Sequence, residues 1–233
     1  MGDDAKNGAG KCSPKMMEAL KKNTHFTRLE IEALVRVYRK LVTSNANLGV
    51  GSAAGSVSGA VVPTPGIAPV AVTCEGLDRV VFRELLHNTF DLVTEDVLMD
   101  RIFCAFDRNS CGAVRLEDWV HGLSVFLRGT LEERTAFCFL VYDLNNDGYI
   151  TRDEMFNLLK NCLMKQPGDD DPDEGVKDLV ELVLRKLDMD RDGKISFQDF
   201  QTAVRQEPLL LEAFGQCLPA EGACQTFMAT LCS

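Results

Sequence analysis

The sequence lacks the motifs that mark most enzymes and membrane-spanning proteins. No Ser-His-Asp, Walker or Rossmann pattern occurs in its 233 residues, and we therefore expect no catalytic activity. The three histidines, His25, His87 and His121, are too scattered to form a metal site. The apolar run at 57–72 is cut by three prolines, which excludes a transmembrane helix there.

Signals for secretion and for lipid attachment are also lacking. The chain begins with Met-Gly, but Lys6 stands where N-myristoylation requires Ser or Thr, so we expect no lipid anchor. Nine cysteines form no C-x-x-C pair and follow no signal peptide, which predicts reduced thiols in the cytoplasm. We expect Cys104, Cys138 and Cys162 to be small core residues of helices, and Cys217, Cys224 and Cys232 to lie in a tail open to oxidation.

Acidic residues outnumber basic ones. The sequence contains 35 Asp and Glu against 25 Lys and Arg, a net charge of −10. Proteins that bind nucleic acids neutralise phosphates with basic surfaces, so this balance argues against a nucleic-acid partner. It suits a protein that binds cations, or that binds basic and apolar helices of a partner.

One acidic segment, at 143–154, contains the ligand pattern of a calcium loop. It reads DLNNDGYITRDE, with oxygen-bearing side chains at positions one, three and five and Gly148 at the sharp turn in position six. Position seven offers a backbone carbonyl, Thr151 at position nine lies over a bridging water, and a glutamate closes position twelve. The predicted ligands are Asp143, Asn145, Asp147, Tyr149 and Glu154. With apolar Ile150 at position eight, the segment favours an EF-hand Ca²⁺ site over a solvated acidic turn.

The same helix–loop–helix unit recurs four times. In each copy an apolar loop residue precedes an aromatic residue or Met by five positions: Leu77/Phe82, Val114/Trp119, Ile150/Met155 and Ile195/Phe200. One EF hand cannot bury its apolar face alone, so the units are expected to pair, with a two-strand contact such as Ile150 with Ile195. The sequence therefore predicts an all-α fold of four EF-hand units, the first degenerate, paired into two lobes.

The fourth loop, at 188–199, is a second strong metal candidate. Its predicted ligands are Asp188, Asp190, Asp192, Lys194 through its carbonyl, and Asp199. Aspartate at position twelve is one methylene shorter than glutamate, so both oxygens reach an ion only if the loop contracts. Single-oxygen, six-fold geometry is what Mg²⁺ prefers. We expect this loop to bind Ca²⁺ but to accept Mg²⁺ more readily than the third loop.

The first two loops are poorer. In the second loop, at 107–118, the candidate ligands are Asp107, Asn109, Cys111 and Asp118. A thiol suits a hard cation badly and Arg115 adds positive charge, so weak binding and no binding both stay open. In the first loop position twelve falls on Val81, and an uncharged segment stands where ligands belong. We expect that loop to be metal-free.

Capping signals and helical spacing divide the chain. Ser13-Pro14, Thr27-x-x-Glu30 and Thr130-x-x-Glu133 predict helix starts. The predicted domains are an extension with a short basic helix (1–24), an N-terminal lobe (25–128) with a loop insert (44–73) and the second hand (95–128), a C-terminal lobe (129–206) with hands at 131–165 and 176–206, and an apolar helix and tail (207–233). A linker is expected at 166–175.

Apolar periodicity also predicts which helix faces are buried. Before the second loop the buried set is Val97, Leu98, Ile102, Phe103 and Phe106; before the third loop it is Phe137, Leu140 and Val141. Sensor-type hands open an apolar groove on binding Ca²⁺. We expect that groove to be lined by residues that also serve partly as core: Phe137, Leu140, Met155, Leu159, Leu163, Val180, Val183 and Phe200. The apolar helix at 209–214 either occupies this groove in place of a partner or merely pads the lobe.

Residues 73–219 resemble a known family. WVHGLSVFLRGTLEER, YDLNNDGYITRDEM and DEGVKDLVELVLRKLDMDRDGKISFQDF are similar to the neuronal-calcium-sensor superfamily, which includes the potassium-channel-interacting proteins and calcineurin B. LLKNCLMKQPGDDDPDEGVKDL and QEPLLLEAFGQCLP resemble, more narrowly, the calaxin family of axonemal Ca²⁺ sensors associated with outer-arm dynein.

The resemblance implies a role that spacing does not reveal. It implies a sensor on the ciliary or flagellar axoneme that tunes beating through dynein, with metal ligands at the positions named for the third and fourth loops. The insert at 44–73 and the second loop depart from the family pattern. The alternatives are a sensor subunit for a membrane channel, kinase or phosphatase, and a plain Ca²⁺ buffer.

Overall fold

The computed structural model describes residues 12–48, 75–160 and 173–232. These ranges form α1 (Pro14–Asn23), α2 (Arg28–Leu48), α3 (Arg79–Phe90), α4 (Asp96–Phe106), α5 (Leu116–Arg128), α6 (Leu131–Tyr142), β1 (Tyr149–Ile150), α7 (Arg152–Leu159), α8 (Glu174–Leu187), β2 (Ile195–Ser196), α9 (Phe197–Gln206), a 3₁₀ helix (Pro208–Glu212) and α10 (Glu221–Cys232). The predicted all-α fold is confirmed. Within the described ranges, no helix is both long and apolar enough to cross a membrane.

Polar side chains cap the helices where the sequence predicts it. Ser13 accepts a hydrogen bond from the Met16 amide at 3.2 Å, which starts α1. At the start of α6, the Thr130 amide donates to Glu133 at 2.8 Å and the Glu133 amide donates back to Thr130 at 3.2 Å. Each such cap satisfies amides that have no partner inside the helix and stabilises it by roughly 1 kcal/mol.

The position-eight residues pair the loops as predicted. Ile150 lies opposite Ile195 in the antiparallel pair β1–β2, which joins the third and fourth loops. Leu77 and Val114 form the equivalent isolated bridge between the first and second loops, with amide-to-carbonyl distances of 2.9 Å in both directions. We name the helices around the first pair, α1–α5, the N-terminal lobe, and those around the second pair, α6–α9, the C-terminal lobe.

A row of aromatic rings runs from one lobe into the other. Phe82 contacts Phe106, with ring centroids 4.9 Å apart, and Phe106 contacts Phe126 at 5.0 Å. Phe126 in turn meets Phe137 of α6 at 5.2 Å. Gly122 makes room for this row, because a Cβ atom there would lie 2.1 Å from the Phe106 ring. The two lobes therefore share one continuous apolar core.

The last helix packs on the N-terminal lobe, which contradicts the prediction of a tail. Helix α10 contacts α2, α3 and α5, and Phe227 lies 5.0 Å from Phe90 between ring centroids. Cys224 and Cys217 are buried rather than open to oxidation. The reason is visible in the sequence: Cys224, Phe227, Met228 and Leu231 recur at helical spacing with no proline between them.

The segment before α10 forms a short 3₁₀ helix where the sequence predicts a short apolar helix. Pro208 begins it, and Gly215 with φ +120° follows it closely, so the space suffices only for a short turn. It contacts α6 and α9. Phe214 is buried against Tyr142, with centroids 5.1 Å apart, whereas Leu209 is 88% exposed.

Several boundaries and buried faces also differ from prediction. Helix α2 continues to Leu48, so 44–48 are helical; no glycine or proline interrupts them. The rest of the insert lies outside the described residues. Helix α8 begins at Glu174, two residues before the predicted start of the fourth hand at 176.

Two predicted core residues of the N-terminal lobe lie on the outer side of α4. Val97 is 38% exposed, and Met99 is buried in its place, because the buried stripe runs through Leu98, Met99 and Ile102. Cys104 is exposed beside that stripe. Cys138 is buried as predicted, with its sulfur 3.0 Å from that of Cys217, and Cys162 lies outside the described residues.

Candidate metal centres

The third loop is held by bonds between its own side chains and amides. Asp143 accepts from the amides of Asp147 at 3.2 Å and Gly148 at 2.9 Å. Asn145 accepts from the Asp147 amide at 2.8 Å, and Asp147 accepts from the Tyr149 amide at 2.9 Å. Asp143 is buried. The side chains at positions one, three and five are thus tied into one short turn before any ion is considered.

Glu154 closes that turn from the first turn of α7. One carboxylate oxygen accepts from the Asn145 amide at 3.1 Å, and the other accepts from the Thr151 amide at 2.8 Å and its hydroxyl at 2.7 Å. The side chain is buried. The structure therefore brings Asp143, Asn145, Asp147 and Glu154 together, and these hard oxygen donors are the chemistry that Ca²⁺ prefers.

The fourth loop has the same framework. Asp188 accepts from the amides of Asp192 at 3.2 Å and Gly193 at 2.9 Å, and Asp192 accepts from the Lys194 amide at 3.0 Å. Carboxylate oxygens of Asp188, Asp190 and Asp192 lie within 4.8 Å of one another. This spacing allows one cation to contact all three.

The neighbouring carboxylates influence the pKa of Asp190. A hydrogen bond from the Asp192 amide lowers its pKa, but partial desolvation and the carboxylates of Asp192, Asp199 and Asp188 outweigh that bond and leave the pKa above its usual value. A cation placed among these groups would relieve the repulsion. The fourth loop therefore gains electrostatically from binding a metal.

The third and fourth loops differ in the side chain at position twelve. Asp199 accepts from the Ser196 amide at 3.0 Å and from the Ser196 hydroxyl, both on its own side of the loop. Glu154 also accepts from the opposite side, at Asn145. The longer side chain therefore reaches across its loop, whereas the shorter one is bound close to its own backbone.

The second loop shares the backbone of the other two. Residues at positions four and six have positive φ in all three loops: Ser110 and Gly112, Asn146 and Gly148, and Arg191 and Gly193. Asp107 likewise accepts from the amides of Cys111 at 3.0 Å and Gly112 at 2.7 Å. The second loop therefore has the backbone of an EF-hand loop, independently of whether its side chains bind a metal.

Its side chains are arranged differently. Asn109 donates to Asp118 at 2.9 Å across the loop, and the Cys111 thiol lies 3.3 Å from the Ala113 carbonyl oxygen. Burial raises the pKa of Asp118; the Asn109 bond and nearby Arg108 offset only part of that rise. Asp107, Asn109 and Asp118 are close together, whereas Cys111 is engaged with the backbone.

The first loop ends as the sequence predicts, with Asp78 capping α3. Asp78 accepts from the Val81 amide at 2.9 Å, so Val81 stands inside the helix and offers no oxygen ligand from its side chain. The expected ligand positions before residue 75 lie outside the described residues. That this loop is metal-free stays a prediction.

The predicted groove residues are mostly core in this structure. Phe137, Met155, Leu159, Val180, Val183 and Phe200 are all buried. Leu140 is 44% exposed, which contradicts its predicted inward position. Leu163 lies outside the described residues. Whether these residues line a groove when metal binds stays a prediction.

Two arginines contact the loops from outside, and sequence motifs did not reveal them. Arg101 of α4 donates to the Asp143 carbonyl at 2.6 Å and the Asn146 side chain at 2.9 Å. Arg152 of α7 donates to the Gly193 carbonyl at 2.8 Å, which links the third hand to the fourth loop. Arg101 is about forty residues from its partners in sequence, so no local pattern indicates the contact.

The chain is similar in sequence to known proteins. The family model of the EF-hand domain pair matches residues 132–205. The chain is 48% identical over 206 residues to calaxin of Xenopus laevis, and the match covers 88% of each chain. It is also 48% identical to calaxin of Homo sapiens, over 88% of this chain and 86% of that one. The type 2 calcineurin B protein of Bos taurus is 38% identical over 112 residues, 48% of this chain and 64% of its own length.

Proposed function

This chain belongs to the calaxin family of calcium-binding EF-hand sensors, and on that premise we propose that it regulates outer-arm dynein in ciliary and flagellar motility. The family resemblance supports a place on the axoneme and a motor partner. The acidic, oxygen-rich loops support regulation by Ca²⁺ rather than catalysis. In this proposal the protein changes shape when Ca²⁺ rises, and the new shape alters its contact with dynein.

The observation that carries the proposal is the position of Glu154. Its carboxylate accepts hydrogen bonds from both ends of the third loop, at Asn145 and Thr151, so the side chain at position twelve already lies across the loop. We assign Asp143, Asn145, Asp147, the Tyr149 carbonyl and Glu154 as the principal Ca²⁺ ligands. A bound divalent ion supplies the positive charge that lets these carboxylates approach one another.

The fourth loop would act as a second, less selective site. Asp188, Asp190, Asp192, the Lys194 carbonyl and Asp199 supply its oxygens, and four of these residues bring negative charge. Because Asp199 accepts from Ser196 on its own side of the loop, single-oxygen ligation is favoured there. We therefore propose that Mg²⁺ competes at this loop more than at the third.

Movement of the C-terminal lobe would expose a surface for dynein. The strand pair β1–β2 joins the two loops, so a change in one is passed to the other. Reorientation of α7 and α8 would uncover residues that are buried here, among them Met155, Leu159 and Val180. The 3₁₀ helix and Phe214, which contact α6 and α9, would have to shift with them.

The test is co-precipitation from ciliary extract in Ca²⁺ and in a chelator. The bait is the full-length chain, and Glu154→Gln is the matched variant, since it keeps the side-chain size and removes one ligand charge. We expect recovery of outer-arm dynein subunits to depend on Ca²⁺ with the wild-type chain and to lose that dependence with the variant. Recovery of dynein that is identical in all conditions, or of none, would overturn the proposal.

A second candidate is a sensor subunit for a phosphatase or channel. Similarity to the type 2 calcineurin B protein over about half of the chain favours it. Parallel precipitation from membrane and cytosolic fractions separates this candidate from the first, because it would recover a phosphatase or channel polypeptide instead. A plain Ca²⁺ buffer barely opens; a hydrophobic dye whose fluorescence does not change with Ca²⁺ would indicate that role.

A further inference from the structure

Arg101 joins the N-terminal lobe to the third metal loop. It lies on α4, the helix that enters the second loop. Its guanidinium donates to the Leu140 carbonyl at 2.8 Å, the Val141 carbonyl at 3.3 Å, the Asp143 carbonyl at 2.6 Å and the Asn146 side chain at 2.9 Å. The two hydrogens of Nη2 are shared among three of these acceptors and Nε donates to the Val141 carbonyl, so one side chain of one lobe contacts four acceptors of the other.

Those acceptors lie where a cation is favoured. The last carbonyls of a helix have no partner inside it and carry the negative end of its dipole; Leu140 and Val141 are in the last turn of α6. The planar guanidinium offers several donors in a fixed fork, whereas the ammonium of lysine is a single point charge. Arginine is therefore suited to binding several carbonyls at this helix end.

The bonds reach the outside of the metal loop and do not involve the predicted ligand atoms. Asp143 is bound through its backbone carbonyl, and its carboxylate remains on the loop amides. Asn146 occupies position four, which supplies no predicted ligand, and has φ +58°. Arg101 therefore contacts the loop on its non-ligand side, so its contacts do not compete with the predicted ligands.

We propose that Arg101 is a positioning residue that transmits the metal state of the third loop to the N-terminal lobe. The inference rests on the proposed metal site. When the third-loop carboxylates gather around a cation, the end of α6 and the Asp143 backbone shift, and Arg101 shifts α4 with them. Phe106 of α4 packs on Phe126 of α5 at 5.0 Å between centroids, so the displacement reaches the second loop and its exiting helix.

Arg152 supplies the matched comparison. It also crosses between elements at the metal loops, donating to Gly193 at 2.8 Å and to Glu181 at 2.9 Å. Both contacts lie within the C-terminal lobe. Removing its charge should disturb communication between the third and fourth loops and leave communication with the N-terminal lobe intact.

The chain contains its own reporter. Trp119 is the single tryptophan, it is buried in α5, and its ring lies 5.5 Å from Tyr38. Within the described part of the chain its indole nitrogen has no hydrogen-bond partner, so its emission responds to the packing and charges around the ring. A change of Trp119 emission therefore reports movement inside the N-terminal lobe.

The experiment combines Ca²⁺ calorimetry with Trp119 emission on the full chain and on four variants: Glu154→Gln, Arg101→Gln, Arg101→Lys and Arg152→Gln. In the wild type we expect emission to change as the third loop fills, and Glu154→Gln should abolish that change. Both Arg101 variants should still take up Ca²⁺ at the third loop, with an emission change about threefold smaller. Arg152→Gln should keep the full change.

A full emission change in both Arg101 variants would overturn the inference, as would a change that survives Glu154→Gln, because the signal would then come from a loop other than the third. Arg101→Lys retains charge and most of the stem, so it guards against simple misfolding of Arg101→Gln. A wild type that takes up Ca²⁺ with no emission change defeats this inference alone. A wild type that takes up no Ca²⁺ defeats the proposed function as well.

Discussion

The second and third loops have the same backbone and different contents. Both turn through positive φ at positions four and six, and both tie the first aspartate to the amides of positions five and six. In the third loop a glutamate spans the opening; in the second an Asn109–Asp118 hydrogen bond does so. Loop shape therefore follows from turn residues and strand pairing, whereas metal affinity depends on a few oxygens added to that shape.

The lobes around these loops are stabilised differently. The C-terminal lobe carries seven acidic ligand candidates across its two loops: Asp143, Asp147, Glu154, Asp188, Asp190, Asp192 and Asp199. The N-terminal lobe instead receives α10, whose Phe227 packs on Phe90. We therefore expect the C-terminal lobe to bind metal directly, whereas the N-terminal lobe depends on packing for its stability.

The largest expected effect is on Ca²⁺ affinity, and it distinguishes the third loop from the second. Glu154→Gln removes one charge and a two-oxygen ligand from the third loop, so its Ca²⁺ affinity should fall about 1,000-fold, or ~4 kcal/mol. Asp118→Asn, the matched change in the second loop, should alter total Ca²⁺ binding little. Calorimetry of both variants measures this; equal losses would show that the two loops are not different in the way proposed.

The next effect tests how much the packing of α10 stabilises the N-terminal lobe. Phe227→Ala should lower the free energy of unfolding by ~3 kcal/mol, because it leaves a cavity beside Phe90. The loss should be the same with Ca²⁺ and with a chelator. Leu209→Ala, at a site 88% exposed, is the control and should change stability little. Urea unfolding followed by Trp119 emission measures both; rescue of Phe227→Ala by Ca²⁺ would contradict the expected difference between the lobes.

A smaller effect is expected from lengthening position twelve of the fourth loop. Asp199→Glu adds the methylene that lets a carboxylate reach across the loop as Glu154 does. The preference for Ca²⁺ over Mg²⁺ at that loop should rise about tenfold. Calorimetry with Ca²⁺ in the presence of millimolar Mg²⁺ detects the change, and Glu154→Asp should shift the third loop in the opposite direction. An unchanged preference would mean that side-chain reach does not set the selectivity.

The smallest effect depends on pH and concerns the N-terminal lobe. Partial burial pushes the pKa of Glu30 upward, but hydrogen bonds from Arg128 and Thr27 outweigh it and leave the pKa below its ordinary 4.5. A depressed carboxylate pKa adds stability above the ordinary value that disappears as pH falls through the lowered one. Arg128 is partly exposed, so the effect should be only ~0.5 kcal/mol.

Unfolding of the wild type and of Glu30→Gln, compared at pH 7 and near pH 3, measures this contribution. The stability difference should be present at neutral pH and should shrink in acid, because protonation removes the charge of Glu30 as pH falls through its lowered pKa. A difference that grows in acid would reverse the sign and refute the interpretation.

Local chemistry predicted much of this molecule. The spacing of Asp143 and Glu154, the pairing of Ile150 with Ile195 and the capping box at Thr130 all follow from rules that act over a few residues. Helix existence and loop pairing were therefore confirmed. Helix ends were less accurate: α2 runs to Leu48 because nothing in 44–48 breaks it.

What escaped prediction depends on distant contacts. Two long-range hydrogen bonds have no local sequence pattern that predicts them. Arg101 donates to the Asp143 carbonyl of the third loop, and the Tyr38 hydroxyl donates to the Val114 carbonyl at 3.0 Å. The docking of α10 had a signal, the helical spacing of Cys224 and Phe227, but sequence could not indicate which lobe it covers. Leu140 is 44% exposed although its spacing suits a buried face, and it borders an open cavity together with Ala105 and Val125.

The position of α10 has a consequence for how the molecule is made. On the ribosome, α2, α3 and α5 emerge long before Glu221–Cys232, so their apolar surface around Phe90 must wait for the last helix to be synthesised. The half of the protein that is translated first is thus the half that is completed last. Until α10 is made, the apolar surface around Phe90 is exposed to non-native association.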